Sequence, residues 1–109
     1  MTSSVESPSA GGPAVTRDDD ASRYELHDGA TLLAVLDYRD DGTNVSLTRA
    51  FTVPTFRGKG HAAALTAGAV ADIAARGGQH GGTRIVPMCW YVAGWFDEHP
   101  DQAHLLAPR

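Results

Sequence analysis

Residues 55–61 read Thr-Phe-Arg-Gly-Lys-Gly-His and open into a run of helix formers, with alanine at 62, 63, 64, 67, 71, 74 and 75, that stops at Gly77-Gly78. Alanine and leucine favour helix, and glycine just past a helix end suits a left-handed cap. Leu65, Ala69, Ile73 and Arg76 fall at helical spacing, and the alanines allow close approach to a sheet. After a Gly-rich turn at 77–82, Thr83-Arg84-Ile85-Val86-Pro87-Met88 has the apolar, β-branched character of a strand buried in a sheet interior. A strand, a helix of this length and a second strand make a crossover between parallel strands, right-handed in nearly all folds.

The segment before the loop points the other way. From Arg23 to Pro54 the apolar runs are cut by Asp28-Gly29 and by Asp40-Asp41-Gly42, residues that tolerate the positive φ of tight hairpin turns. The pattern predicts antiparallel strands over 22–27, 31–38 and 44–53, so the sheet is mixed. Trp90 to His99 reads as a helix, with Tyr91 and Trp95, and Val92 and Phe96, four apart before Pro100; Leu105-Leu106 is expected to dock back on the core. The fold class is α+β: a three-stranded antiparallel meander, a loop-helix-parallel strand crossover and a C-terminal helix.

A chain of 109 residues allows one domain. Residues 1–20 are rich in Ser, Pro, Gly and Asp, with only Val5 and Val15 as sizeable apolar side chains, which predicts a disordered tail and a working domain over 21–109. The net charge is -4, and the tail carries four acids against one base, so the rest is nearly neutral. No basic face is available to neutralise phosphates along a nucleic acid. No apolar run suits a membrane span and no signal peptide is present, so a cytoplasmic location is expected, without membrane or nucleic-acid partners. The single cysteine, Cys89, can form neither an internal disulfide nor a Cys-rich metal site, and no metal is expected.

The chemistry concentrates in Arg57-Gly58-Lys59-Gly60-His61-Ala62. Amides at a helix start are unpaired and sit at the positive end of the helix dipole, and a loop without β-carbons lets a phosphate come close. A nucleotide P-loop would need Ser or Thr after Gly-Lys, where Gly60 stands. Gly58, Gly60 and Ala63 match a dinucleotide fingerprint, yet the stretch from Gly77 to Met88 lacks the acidic residue that motif needs.

Arg57, Gly60 and Ala62 also spell R-x-x-G-x-A, which resembles the pyrophosphate motif of the GNAT superfamily of acetyl-CoA-dependent N-acetyltransferases. The chain is similar to its minimal subfamily through Val53-Pro54, Arg57-Gly58-Lys59-Gly60, Pro87-Met88-Cys89, Tyr91 and His99-Pro100, over roughly 23–106. The resemblance implies acetyl-CoA as cofactor, with the amides from Phe56 to Ala62 on its pyrophosphate. It further implies that the strands ending at Val53 and Pro87 splay around the pantetheine arm, with the thioester near Cys89.

Each of these residues has a plainer reading. Cys89 is either beside the thioester, as acyl carrier or acid, or a small buried hydrophobe. Tyr91 is a proton donor to departing thiolate, or simply core. Arg57 and Lys59 assist phosphates or are solvated, and His61 contacts coenzyme or solvent. Subfamily members carry a His-Thr pair where this chain has Ala50-Phe51, and the strand from Asn44 to Val53 has no carboxylate. No general base is named: His27, His80, His99 and His104 are scattered. The expected function is acetyl transfer from acetyl-CoA to a small-molecule or peptide amine; the alternative is a coenzyme A or acyl-CoA binding module with little or no activity. A scaffold whose glycine loop binds only adventitious anions is the third reading.

Overall fold

The computed structural model describes residues 13–77 and 83–108. Five strands form one sheet in sequence order: β1 (Ala14–Asp18), β2 (Arg23–Asp28), β3 (Thr31–Asp40), β4 (Asn44–Thr52) and β5 (Arg84–Pro87). The first four pair antiparallel, and β4 and β5 pair parallel. Between these two run a 3₁₀ turn, Pro54–Phe56, and helix α1, His61–Gly77; helix α2, Trp90–Asp97, and a 3₁₀ turn, Pro100–Leu105, follow. No described helix is long and apolar enough to cross a membrane.

The turns form where predicted: Gly29 and Gly42 both take positive φ at the two hairpin corners. Helix α1 lays Leu65, Ala69, Val70 and Ile73 on the sheet, where they meet Tyr24, Leu26, Leu36, Leu47 and Ile85 in one core. Val92, Trp95 and Phe96 of α2 join the same cluster. The helix ends at Asp97, short of the predicted His99, because a residue before proline is pushed out of the helical region; His99 takes φ -130. Leu105 is buried in the core, so the C-terminal segment docks back as expected, and it also meets β5, where Leu106 bridges to Ile85 and Ala107 N–H donates to the Ile85 carbonyl.

One expectation needs correction. Ala14–Asp18, read within a disordered tail, is an ordered edge strand in register with β2; residues 1–12 and the turn at 78–82 lie outside the described residues. A single half-buried valine anchors β1, and Val15 Cγ2 would stand 2.6 Å from a β-carbon at Gly68, so helix and strand touch where glycine removes the side chain. The Arg17 guanidinium then reaches Asp72 of α1 at 2.7 Å, and Tyr24 Oη donates to the same carboxylate at 2.7 Å. Backbone pairing and charged contacts substitute for the apolar content that marks a strand in sequence.

Candidate active site

The parting of β4 from β5 creates the site. Their register runs from Asn44↔Arg84 to Leu47↔Pro87 and stops there. Met88 N–H and Cys89 N–H both donate to the Leu47 carbonyl, and Met88 N–H also lies 3.0 Å from the Val86 carbonyl. This tight turn swings the chain away from the sheet. On the other strand, the β3–β4 register shifts between Asp37 and Tyr38, leaving Thr48 as the extra residue of a bulge. Beyond it β4 continues to Thr52 with β3 on one side only among the described residues.

Alternation tells which backbone groups face the gap. Val53 N–H donates to the Leu33 carbonyl at 2.9 Å, so Val53, Phe51 and Arg49 turn their backbone toward β3, and Ala50 and Thr52 turn theirs toward the missing partner. Arg57 Nε confirms the direction by donating to the Thr52 carbonyl at 3.3 Å. The resulting cleft of about 270 Å³ is lined by Ala50, Phe51 and Thr52 on β4, Arg57 and Ala62 beyond it, and Cys89, Trp90 and Tyr91 at the start of α2.

The glycine loop borders the same gap. Phe56 N–H is bound to the Val53 carbonyl and Arg57 N–H to the Pro54 carbonyl, so two of the amides expected to serve a ligand close the 3₁₀ turn instead. Val53 is committed in the same way. Gly58, Lys59 and Gly60 have no backbone partner for their N–H groups among the described residues, and the first amides of α1 lack one by helix geometry. Gly58 and Gly60 take φ +81 and +80, and a β-carbon on either would project into open space. That combination fits a pyrophosphate: several free amides converge at a helix start, with no acidic residue in the first turn to compete. Lys59 is exposed beside them, and His61 stands edge-on to Phe56 at 6.5 Å.

Cys89 caps the start of α2 through its backbone, is buried, and lines the cleft. Pro87 is half-buried at the end of β5. Tyr91 is half-buried in the same wall; burial, with Glu98 nearby, pushes its hydroxyl up from the ordinary phenol value. His99 is held apart, with Nδ1 bonded to the Trp95 carbonyl at 2.7 Å and the ring stacked on Trp95 at 3.9 Å. His27 is paired with Glu25 on β2, away from the gap. The structure thus brings Cys89, Tyr91, Arg57 and Ala62 together, with the glycine loop alongside.

Sequence reasoning passed over three contributors. Ala50 and Thr52 turn their backbone groups toward the gap beyond a bulge that no residue type announces. Trp90, counted only as the start of a helix, is 83% exposed on the rim.

A mixed sheet whose one parallel pair parts beside a glycine-loop helix start, with antiparallel strands leading in, defines an acetyltransferase-type α+β fold. The chain matches the family model for the GCN5-related N-acetyltransferases over residues 23–105, and it belongs to that family. No curated protein matches it. The family membership makes this an acetyltransferase domain; β1 lies outside the matched span.

Proposed function

We propose that the domain transfers an acetyl group from acetyl-CoA to an amine in the cytoplasm. The observation that carries the reading is the inner edge of β4 at Ala50 and Thr52, which has no strand partner among the described residues and is met only by the Arg57 side chain at the Thr52 carbonyl, in a cleft whose wall includes Arg57 and Ala62 at the two ends of the glycine loop. The free amides of the loop hold the pyrophosphate, and Lys59 adds charge at the loop. The Ala50 and Thr52 backbone groups pair with the amides of an extended arm, as a neighbouring strand would. Bound acetyl-CoA supplies an activated thioester at this gap. A backbone N–H of the free edge steadies the negative charge that develops on the thioester oxygen. Cys89 borders the reacting group, and Tyr91, protonated at neutral pH, donates toward the departing sulfur.

A second reading has its own support: among the described residues lining the cleft there is neither carboxylate nor imidazole. On that reading the domain binds acyl-CoA without turning it over. Thermal unfolding with acetyl-CoA, with sulfate and with neither separates the possibilities, followed by mass analysis of amines incubated with the protein. The transferase reading expects stabilisation by acetyl-CoA far beyond sulfate and a 42-dalton gain on an acceptor, about the mass of an acetyl group replacing a proton. Stabilisation without any acetylated product favours the binding module, and equal effects of sulfate and acetyl-CoA defeat both.

A further inference from the structure

We propose, resting on the acetyl-transfer reading, that the acceptor is a small arylamine carrying an anionic substituent. It enters across the uncovered sheet face, with Phe51 and Trp90 as aromatic walls and Arg49 and Arg57 as partners for its charge.

The direction of entry follows from the layers. Helices α1 and α2 contact each other and share one core with the sheet, so both lie on one face. The registers Glu25↔Val35↔Phe51 and Arg23↔Asp37↔Arg49 align residues of the other face, which no described helix covers. Ala62 and Tyr91 reach the cleft from the helices, whereas Phe51 reaches it from the open face, so the cleft passes between the strands. The phosphate cradle occupies the helix side. An attacking nitrogen therefore comes from the side of Phe51.

The chemistry of that entrance selects the acceptor. Among the described residues that line the cleft there is no carboxylate or imidazole to deprotonate an ammonium ion, and Asp37 on the open face is engaged by Arg49. An alkylamine like that of lysine is neutral in only on the order of one molecule in a thousand at pH 7. An arylamine, whose lone pair is shared with its ring, arrives neutral and needs no base. Two guanidinium groups flank the Phe51 ring, Arg49 at 5.5 Å and Arg57 at 6.0 Å from its centroid. Arg49 also meets Asp37 at 3.3 Å, and Arg57 has no carboxylate partner among the described residues. This rim repels polyamines and attracts an anion, while Phe51 and the exposed Trp90 present faces on which an aromatic ring can stack.

The transfer balances without a further reagent. The nitrogen lone pair forms the C–N bond to the acetyl carbon, and the C–S bond breaks with its electrons going to sulfur. The surplus nitrogen proton passes to water, and sulfur takes a proton from Tyr91, which solvent replaces.

The test uses the full chain with 4-aminobenzoate, aniline, spermidine and a lysine peptide. NMR of the protein alone reads binding, liquid chromatography reads acetylated product, and calorimetry with acetyl-CoA runs in parallel. The expected result is that 4-aminobenzoate shifts the amides of Phe51, Arg57 and Trp90. It should be acetylated with kcat/KM about tenfold above aniline, with spermidine and peptide far below, and at a rate flat from about pH 6 to 8. In R49E the preference for 4-aminobenzoate over aniline should fall toward one. Preference for spermidine or the peptide, equal use of aniline, or undiminished preference in R49E overturns the acceptor assignment while acetyl-CoA binding stands. Absence of acetyl-CoA binding overturns the underlying transferase reading as well.

Discussion

Gly60 illustrates how much a single backbone position carries. It sits at φ +80, where a side chain is strained, and a β-carbon there would project into the open space in which the proposed pyrophosphate site lies. Gly60→Val is expected to weaken acetyl-CoA binding by two orders of magnitude or roughly so, with the fold retained, as calorimetry and circular dichroism would read. Tyr91 carries a different kind of weight. Burial first and Glu98 second push its hydroxyl up from the ordinary phenol value. Tyr91→Phe should lower kcat on the order of tenfold to a hundredfold while leaving the KM for acetyl-CoA nearly unchanged, since in the proposed transfer the hydroxyl acts only as sulfur departs. A parallel rise in KM would make Tyr91 a binding residue instead.

At the scale of elements, β1 depends on a contact between Val15 and α1 that only glycine permits. Gly68→Ala improves helix propensity by about 1 kcal/mol, but crowds a stiff β-branched side chain at a cost of about 1–3 kcal/mol. The substitution should therefore lower the urea midpoint, and adding Val15→Ala should recover it. Additive losses in the double variant would show that the contact is unimportant. Strand β1 also shows where sequence patterning gives out. Its neighbours announce themselves through alternation and Asp-Gly turns, whereas β1 shows one valine among Ala, Thr, Arg and Asp and is tied down by Arg17 on Asp72 and, just past its end, by Asp19 on Tyr38, partners far away in sequence. The crossover helix, the parallel strand and the glycine loop were legible because residue type dictates them locally. The bulge at Thr48 and the exposed inner edge of β4 were not, since they arise from register between strands.

Over the whole molecule, a set of carboxylates ties the surface together and sets the response to acid. Glu25 is held below its ordinary value by hydrogen bonds from His27 and then Arg23, Asp19 by Tyr38 and then Arg17, and Asp41 by the amides of Asn44 and Thr43. Tyr38 is in turn pushed up to about 12 by burial and by Asp19. Because these acids bind protons less readily in the folded state than in the unfolded chain, their stabilisation is complete above the unfolded values of 3.8 and 4.5. It is lost as pH falls through the lower folded values. The urea midpoint should hold steady near neutrality and decline below about pH 4.5, and Glu25→Gln should make that decline shallower. A midpoint independent of pH down to about 3 would contradict this picture.

Among the described residues no helix covers the sheet face on which the proposed acceptor entrance opens, and the proposed cofactor cleft lies where β4 and β5 part. Titration of isotopically labelled protein with acetyl-CoA, followed by amide chemical shifts, addresses it directly. The account predicts the largest shifts at Gly58, Lys59, Gly60 and the first turn of α1, together with Ala50 and Thr52 on the free edge of β4, and none comparable with sulfate. Shifts confined to other surfaces, or sulfate reproducing the full pattern, would contradict it.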